Sequence, residues 1–333
     1  MLPGDVAEAY RGRRVLVTGG LGFIGSNLAR RLVELDADVT LVDALIPEHG
    51  GNRANIAGIE DAVRVEVADV RDPDAMRAAI AGQEVLFNLA GQTSHVDSLH
   101  DPFTDLDINC KSQLSILETC RHESPDVKVV FASTRQLYGR PQYLPVDERH
   151  PVAPVDPNGV NKAAGESYHL VYGQVYGLAT CVLRLTNTYG PRMRVKDDRQ
   201  TFLGTWLKLA VEGEELLIFG DGTQRRDFTY VDDAVEAFLL AGARPEADGE
   251  VFNLGGDPPI SLLELAELLL DVAGGGSFRL VPFPAERASI DIGDYFADDS
   301  KIRSTLGWEP AVGLREGLGR SLEYYREHAA AYW

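Results

Sequence analysis

Apolar positions in the first half of the chain follow two alternating patterns. Short, largely apolar runs are typical of strands buried on both faces of a parallel sheet, and they occupy residues 14–18, 38–42, 85–89, 127–131 and 179–185. Residues 63–67 alternate apolar and charged positions and predict a further strand. Apolar positions three or four residues apart indicate helices over residues 23–35, 73–81, 103–122 and 162–176. This alternation predicts an α/β fold with a doubly wound parallel sheet and helices on both of its faces.

The second half of the chain has shorter elements. The pattern predicts a helix over residues 202–212, a strand over 216–219 and a helix opened by a Ser261–Glu264 capping box. We therefore predict two lobes. The larger lobe covers residues 1–186 and also receives residues 229–252, and a smaller C-terminal α/β lobe covers residues 187–333.

A glycine-rich turn links the first strand to the first long helix. Gly19, Gly22 and Gly25 occupy this turn, and Phe23 and Ile24 begin the helical pattern. Glycines let the backbone approach a pyrophosphate closely, and the free N–H groups and dipole of a helix N-terminus attract the anion. The turn therefore predicts a dinucleotide site on a sheet of the Rossmann type.

Asp43 ends the second strand, 24 residues after Gly19. At this position a carboxylate accepts hydrogen bonds from an adenosine ribose and repels a 2′-phosphate, and no arginine or lysine occurs in the nine residues after it. This pattern predicts NAD rather than NADP as the cofactor. The alternative is an aspartate that only caps the turn at the strand end.

Composition and charge exclude several classes of function. The 333 residues carry a net charge of −19, which argues against nucleic acid or an anionic membrane as a partner. No apolar run approaches the ~18 residues of a membrane helix, and no secretory signal is recognisable. The 3 widely spaced cysteines fit a reduced cytoplasm, and the acidic residues and histidines lack metal-ligand spacing. We therefore expect a cytoplasmic protein without a bound metal.

Eight motifs in order carry a resemblance to a known family. Besides the glycine turn they are Asp69-Val70, Asn88-Leu-Ala90, Ser133-Thr134-x-x-x-Tyr138-Gly139, Lys162, Arg184-Leu-Thr-Asn187-Thr-Tyr-Gly-Pro191, Arg226-Asp-Phe-Thr-Tyr-Val-Asp232-Asp233 and Leu306-Gly-Trp308. Over residues 13–325 the chain resembles the extended short-chain dehydrogenase/reductases that epimerise, dehydrate or decarboxylate nucleotide-diphosphate sugars. UDP-glucose 4-epimerase-like enzymes are the members it resembles.

The resemblance implies positions for both ligands. Besides the residues of the glycine turn and Asp43, the NAD site would include Asp69, Val70, Leu89, Ala90, Gly91, Asn109 and Lys162. The sugar nucleotide, most plausibly UDP- or dTDP-linked, would contact Thr134, Arg135, Gln136, Asn187, Arg226 and Arg287. Arginine suits this task because its planar fork matches phosphate oxygens, although Arg226 and Arg287 could each be ordinary surface ion pairs. Asp232 and Asp233 are expected to cap a helix rather than to touch a ligand.

The catalytic positions match the family only in part. Members of the family use a serine or threonine, a tyrosine that acts as the base, and a lysine four residues after the tyrosine. Thr134 and Lys162 match, but Asn158 stands at the tyrosine position, and an amide cannot act as a base near neutral pH. Our hypothesis is that Asn158 and Lys162 position a water, and that this water or Lys162 accepts the sugar hydroxyl proton. His95 and Tyr138 are the alternatives.

The residues after Thr134 narrow the reaction. Sugar 4,6-dehydratases of the family carry Asp-Glu there as acid and base, whereas this chain carries Arg135 and Gln136. Epimerisation needs no further acid or base, so we expect an NAD-dependent epimerase that acts at C4 through a transient 4-keto sugar. The alternatives are a nucleotide-sugar decarboxylase, an unusual dehydratase, or a redox-inactive protein that binds NAD and a sugar nucleotide.

The resemblance also implies a homodimer. In the family, the helices that correspond to residues 103–122 and 162–176 form a four-helix bundle between two subunits. We expect the apolar seam of this bundle to consist of Leu106, Leu114, Leu117, Tyr168 and Tyr172.

Overall fold

The computed structural model describes residues 2–256 and 258–333. Its strands are β1 (Arg14–Thr18), β2 (Asp38–Asp43), β3 (Val63–Val67), β4 (Val85–Asn88), β5 (Lys128–Thr134), β6 (Thr180–Leu185), β7 (Asn187–Tyr189), β8 (Leu216–Phe219), β9 (Arg225–Arg226), β10 (Phe228–Tyr230), β11 (Val251–Asn253), β12 (Ile260–Ser261) and β13 (Phe278–Val281). Its α-helices are α1 (Gly4–Glu8), α2 (Phe23–Glu34), α3 (Pro73–Ile80), α4 (His95–His100), α5 (Pro102–Leu106), α6 (Ser112–Glu123), α7 (Pro157–Tyr176), α8 (Phe202–Glu212), α9 (Val231–Ala243), α10 (Leu262–Ala273), α11 (Ala285–Ala288), α12 (Ser300–Leu306) and α13 (Leu314–His328).

The central sheet confirms the predicted fold class. Seven strands lie in the order β11-β6-β5-β4-β1-β2-β3, and every pair in the sheet is parallel. Alternate residues of β1 face opposite sides, so Val15 and Val17 join one apolar cluster and Leu16 joins the other. The chain returns from the second half through α9 to place β11 beside β6. The carboxyl ends of the strands therefore meet at one edge of the sheet, where the site residues lie.

The predicted helix over residues 103–122 is interrupted. Asp107–Lys111 forms a π-helical turn between α5 and α6. The Asn109 side chain, within this turn, donates a hydrogen bond to the Gln92 backbone oxygen at 2.9 Å. π-Helical turns occur often at functional sites because they redirect a side chain out of the regular helical spacing.

Helix α7 begins five residues before the predicted start. Asp156 caps the helix, because its Oδ1 accepts a hydrogen bond from the Gly159 N–H at 2.7 Å, and Pro157 occupies the first helical position. Asn158 and Lys162 therefore lie one turn apart on one face of the same helix.

The capping box of the second half is present, but the expected caps of α9 are wrong. Ser261 and Glu264 form the predicted reciprocal capping box at the start of α10. Helix α9 begins after Tyr230 with no side-chain cap in the described chain. The Asp233 carboxylate instead accepts hydrogen bonds from the N–H groups of Ala311 and Val312, at 2.8 and 3.2 Å, because it points away from the start of its own helix.

The expected dimer seam is also wrong in part. Leu117 and Tyr172 are buried within the chain itself, in the apolar cluster on the α3 and α6 side of the sheet. They face inward because α6 and α7 both pack on this face of the sheet. The exposed apolar side chains of α5 and α7 are Phe103, Leu106, Val160, Val171, Val175 and Tyr176.

Candidate active site

A cleft of about 740 Å³ opens at the carboxyl ends of the strands. The structure brings together along this cleft every residue that the sequence assigned to the cofactor, the substrate or catalysis, except Asn109 and the alternative base Tyr138. Asn109 lies directly behind the cleft wall, because a Cβ added to Gly91 would come within 2.9 Å of Asn109 Oδ1. Segments far apart in the sequence therefore converge on a single cavity.

The glycine turn forms a cradle that side chains would fill. A Cβ at Gly25 would lie 2.2 Å from the Gly19 carbonyl oxygen, and Gly19 itself has φ of +67°. Gly22 is the N-cap of α2, and no acidic residue occurs in the first turn of this helix. The backbone N–H groups at this helix start are therefore free of competing carboxylates, which fits a pyrophosphate.

Two aspartates, one at the end of β2 and one just after β3, line the cleft. The Asp43 carboxylate is positioned by the N–H groups of Leu21 and Leu45, at 3.1 and 2.9 Å, and burial raises its pKa above the usual value. Asp69 is paired with Arg71 through several hydrogen bonds, which lower the pKa of Asp69. Asp43 is thus a fixed acceptor at the end of β2, with the chemistry expected of a ribose ligand.

Lys162 is a buried cation in the cleft wall. Its Nζ donates a hydrogen bond to the Ala132 carbonyl oxygen at 3.1 Å and lies 4.9 Å from the centre of the Phe131 ring. Burial lowers the pKa of Lys162 to about 8, and the Asp105 carboxylate opposes this shift. A Cβ at Gly91 would lie 3.0 Å from this Nζ, so a larger residue there would press against the end of the Lys162 side chain.

Asn158 is tied to the protein by both of its amide hydrogens. Its Nδ2 donates to the Gln92 backbone oxygen at 2.8 Å and to Asp105 Oδ2 at 2.9 Å. The other Asp105 oxygen accepts a hydrogen bond from Asn161 Nδ2 at 2.8 Å. Asp105 is completely buried, and nothing in its sequence context marked it as part of the site.

The end of β5 and the residues that follow it also line the cleft. Thr134 Oγ1 accepts a hydrogen bond from the Gln136 N–H at 3.2 Å. Arg135 lies over the Tyr295 ring and donates to Asn187 Oδ1 at 3.1 Å, and burial lowers the pKa of its guanidinium. Gln136 Nε2 donates to Asp156 Oδ2 at 2.8 Å. Because Arg135 carries a guanidinium and Gln136 an amide, neither side chain offers a carboxylic acid to the cleft.

Two further arginines reach the cleft from the second half of the chain. Arg226 is buried, and this burial together with the nearby Arg135 lowers its pKa to about 9. Its closest carboxylate, on Asp291, is 3.8 Å away. Arg287 forms an ion pair with Asp198 and lies over the Phe219 ring. Arg135 and Arg226 are both buried, and nearby carboxylates neutralise their positive charges only weakly. Two such guanidinium groups fit an anionic ligand such as a diphosphate.

The phenol that the family would use is missing from the cleft. Within residues 2–256 and 258–333, no tyrosine lines the cavity. Tyr138 is buried behind β5, where its hydroxyl donates to Asn253 Oδ1 at 2.7 Å and accepts from Arg184, and burial raises its pKa to about 12. Tyr138 is therefore a packing residue in this structure.

The described part of the chain offers neither a metal-ligand cluster nor a membrane-spanning helix. No cluster of three or more histidine, cysteine, aspartate or glutamate side chains has the geometry to hold a metal ion there. None of the described helices is both long and apolar enough to cross a bilayer.

Known proteins share the sequence motifs and the fold of this chain. The model of the NAD dependent epimerase/dehydratase family matches residues 15–255. A putative UDP-glucose 4-epimerase of Methanocaldococcus jannaschii is 35% identical over 316 residues, which cover 94% of this chain and 99% of the relative. A dTDP-glucose 4,6-dehydratase of Streptomyces niveus is 32% identical, with 96% of this chain and 94% of the relative covered. The UDP-glucose 4-epimerase of Thermotoga maritima, solved with UDP-glucose, has a TM-score of 0.86 at 32% identity and covers 95% of this chain and 99% of its own.

The fold and the cleft define an α/β enzyme with a dinucleotide site at the edge of a parallel sheet. The chain belongs to the NAD dependent epimerase/dehydratase family, and NAD is its cofactor. The cradle at Gly25 and the fixed acceptor at Asp43 fit this cofactor. The similar proteins include both epimerases and dehydratases, so the side chains of the cleft distinguish between these reactions.

Proposed function

We propose that the protein is a nucleotide-diphosphate-sugar epimerase that inverts C4 through a transient 4-keto sugar. The observation that carries this proposal is the pair of residues after Thr134. Arg135 and Gln136 present a guanidinium and an amide, and both are engaged with neighbouring side chains. Water elimination needs an acid at this place, whereas epimerisation needs only the redox residues. The similarity to UDP-glucose 4-epimerases supports the same reaction.

Each group of cleft residues would have its own role in binding or catalysis. NAD, when bound, takes a hydride from the sugar carbon and returns it to the opposite face. The Thr134 hydroxyl would bind the reacting sugar oxygen, and the Lys162 ammonium would bind the nicotinamide ribose. Asn187, Arg226 and Arg287 would hold the UDP or dTDP part of the substrate. Asn158 would fix the cleft wall, because both of its amide hydrogens are committed to Gln92 and Asp105.

The experiment that tests this function is a substrate panel. The purified protein is incubated with UDP-, dTDP-, GDP- and CDP-linked hexoses, and the products are identified by NMR. We expect inversion at C4 of a UDP- or dTDP-sugar without loss of water or CO₂. A 4-keto-6-deoxy product would establish a dehydratase, a pentose product would establish a decarboxylase, and binding without any product would establish a redox-inactive protein.

The first prediction concerns cofactor choice. Because the Asp43 carboxylate stands at the end of β2 and would repel a 2′-phosphate, we expect NAD to bind at least ~10-fold more tightly than NADP. Calorimetric titration of the cofactor-free protein with both dinucleotides measures this ratio. Asp43→Asn removes the charge but retains an oxygen acceptor, and should reduce the ratio. Equal affinities in the unmodified protein would rule out this role for Asp43.

The second prediction concerns assembly as a homodimer. Phe103 is 77% exposed and Val175 is 63% exposed, on helices that pack side by side, and such an apolar surface is typical of an interface. We expect a dimer at micromolar concentration in analytical ultracentrifugation, and a shift to monomer for Phe103→Glu. Leu280→Glu is the matched control, since Leu280 is 51% exposed on β13 in the other lobe. A monomeric unmodified protein would contradict the proposal.

We also propose a cytoplasmic location. Cys110, Cys120 and Cys181 are free thiols, and burial raises the pKa of both Cys120 and Cys181 to about 12. Unpaired, unreactive thiols of this kind suit a reducing compartment.

A further inference from the structure

A histidine in the cleft wall is paired with an aspartate that is buried behind it. His95 is the first residue of α4 and lines the cavity, and its Nδ1 lies 3.2 Å from Asp156 Oδ2. Nδ1 is buried and its contact with this carboxylate is an ion-pair contact that is not aligned as a hydrogen bond, while 34% of the side chain is exposed. The exposed part of the imidazole is therefore the edge that carries Nε2, and this edge faces the cleft.

Asp156 is built to remain an anion behind this histidine. Its side chain is completely buried, and it accepts hydrogen bonds from the Gly159 N–H at 2.7 Å and from Gln136 Nε2 at 2.8 Å. Burial by itself raises the pKa of Asp156, but His95 and the two hydrogen-bond donors more than compensate, so the net shift is downward. A buried carboxylate with these fixed partners holds the imidazole in one orientation and favours the proton on Nδ1.

The pair also lies next to the position of the missing tyrosine. The Ser98 hydroxyl donates to the His95 carbonyl oxygen at 2.7 Å and accepts from the Asn158 N–H at 3.4 Å. Asp156 precedes Asn158 by two residues at the start of α7. These two hydrogen bonds of Ser98 connect the first turn of α4 to the first turn of α7.

We propose that His95, oriented by Asp156, is the general base that takes the place of the tyrosine. This inference rests on the proposed epimerase function. As the sugar C4–O4 bond becomes a carbonyl, His95 Nε2 would accept the O4 proton, and bound NAD would supply the acceptor for the C4 hydrogen, which leaves with its electron pair as hydride. On the return, His95 would give the proton back to O4, and the same hydride would return to the other face of C4. Nothing is gained or lost over the cycle.

Lys162 is less suited to this task. Its Nζ is buried and donates to the Ala132 oxygen, and an ammonium group has no lone pair to accept a proton. With a pKa of about 8, Lys162 is mainly charged at neutral pH. Asn158 has no free amide hydrogen to hold a water between Lys162 and the sugar. The Nε2 edge of His95 reaches the cleft directly.

The kinetic test uses the sugar that the unmodified protein converts. His95→Gln should lower kcat by about 10²–10⁴-fold, the usual range for loss of a general base, with unchanged calorimetric affinities for NAD and the sugar nucleotide. Imidazole in the buffer should restore part of the activity of His95→Ala. His100→Gln is the control, because His100 is 66% exposed on the same helix and forms an exposed ion pair with Glu286. Full kcat in His95→Gln would overturn the proposal and leave the epimerase function standing.

Asp156 is a positioning residue, so its test is a double-mutant cycle. Asp156→Asn should lower kcat by itself but add little in the background of His95→Gln, because the carboxylate acts through the imidazole. Additive losses would show that Asp156 is merely structural.

A third measurement does not depend on turnover. Nitrogen-15 NMR of the ligand-free protein should show His95 protonated on Nδ1 and bare on Nε2, with a weaker preference in Asp156→Asn. A proton resting on Nε2 would overturn the proposal even if no sugar in the panel reacts. If the unmodified protein converts none of the sugars while the Nδ1–H tautomer is found, the proposed function fails and the orientation of the pair stands.

Discussion

Lys162→Met should lower turnover by at least about 10²–10³-fold, which is the usual cost of removing one preorganised charge from an active site. The cation would be lost where it faces Gly91 and the proposed nicotinamide ribose, while Arg226 and Arg287, at the other wall, would remain. We therefore expect the affinity for the sugar nucleotide to stay nearly unchanged in calorimetric titration. Turnover equal to that of the unmodified protein would show that Lys162 has no catalytic part.

The same substitution should make the ligand-free protein more stable at neutral pH. The pKa of Lys162 falls from 10.5 to about 8 on folding, so between these values the unfolded chain binds a proton that the folded chain lacks. The free energy of unfolding of the unmodified protein therefore rises with pH between pH 8 and 10.5, and below pH 8 the full cost of burying the charge is present. At 1.36 kcal/mol per pKa unit this cost is about 3 kcal/mol.

Urea unfolding at pH 7 and at pH 10 measures both parts of this prediction. Lys162→Met should raise the free energy of unfolding at pH 7 and should lose the part of the pH dependence that Lys162 contributes. Lys111→Met is the control, because the Lys111 side chain is 78% exposed and should change stability by less than about 0.5 kcal/mol. A variant that is inactive and also less stable at pH 7 would contradict the assigned burial cost.

Glu166→Ala should destabilise the protein by about 3–5 kcal/mol, because it leaves a buried arginine without its partner. Glu166 accepts hydrogen bonds from Ser133 Oγ at 3.0 Å and from Arg184 Nε at 3.0 Å, and both charged side chains are less than a tenth exposed. Arg184 also donates to the Tyr138 hydroxyl. The network joins β5, β6 and α7 directly behind Thr134.

Urea unfolding of the single and double variants tests this network. The double variant Glu166→Leu/Arg184→Met should recover much of the loss, since well-packed apolar residues can replace a buried ion pair. Glu215→Ala is the control, because Glu215 and Arg279 form an exposed ion pair worth at most about 1 kcal/mol. A loss of less than 1 kcal/mol for Glu166→Ala would mean that Arg184 finds another partner.

The sequence by itself determined the sheet and the cofactor site, because both depend on local patterns. Apolar runs that are buried on both faces are typical of strands inside a parallel sheet, and they placed β1, β2, β4, β5 and β6 closely, whereas the edge strand β3 alternates apolar and charged residues. The cradle at Gly19 and Gly25 follows from spacing along one strand, turn and helix, and Asp43 from the end of the next strand. Family motifs added Arg226 and Arg287 from the second half of the chain.

The tertiary structure alone decided which side chains meet in the cleft. Asp105 pairs with Asn158 across 53 residues of sequence, and Asp156 meets His95 only because α4 lies against the start of α7. It also placed Leu117 and Tyr172 in the core, and turned Asp233 away from its own helix. Such contacts depend on how helices are rotated and packed on the sheet, and this rotation is set by many apolar contacts together rather than by any local pattern.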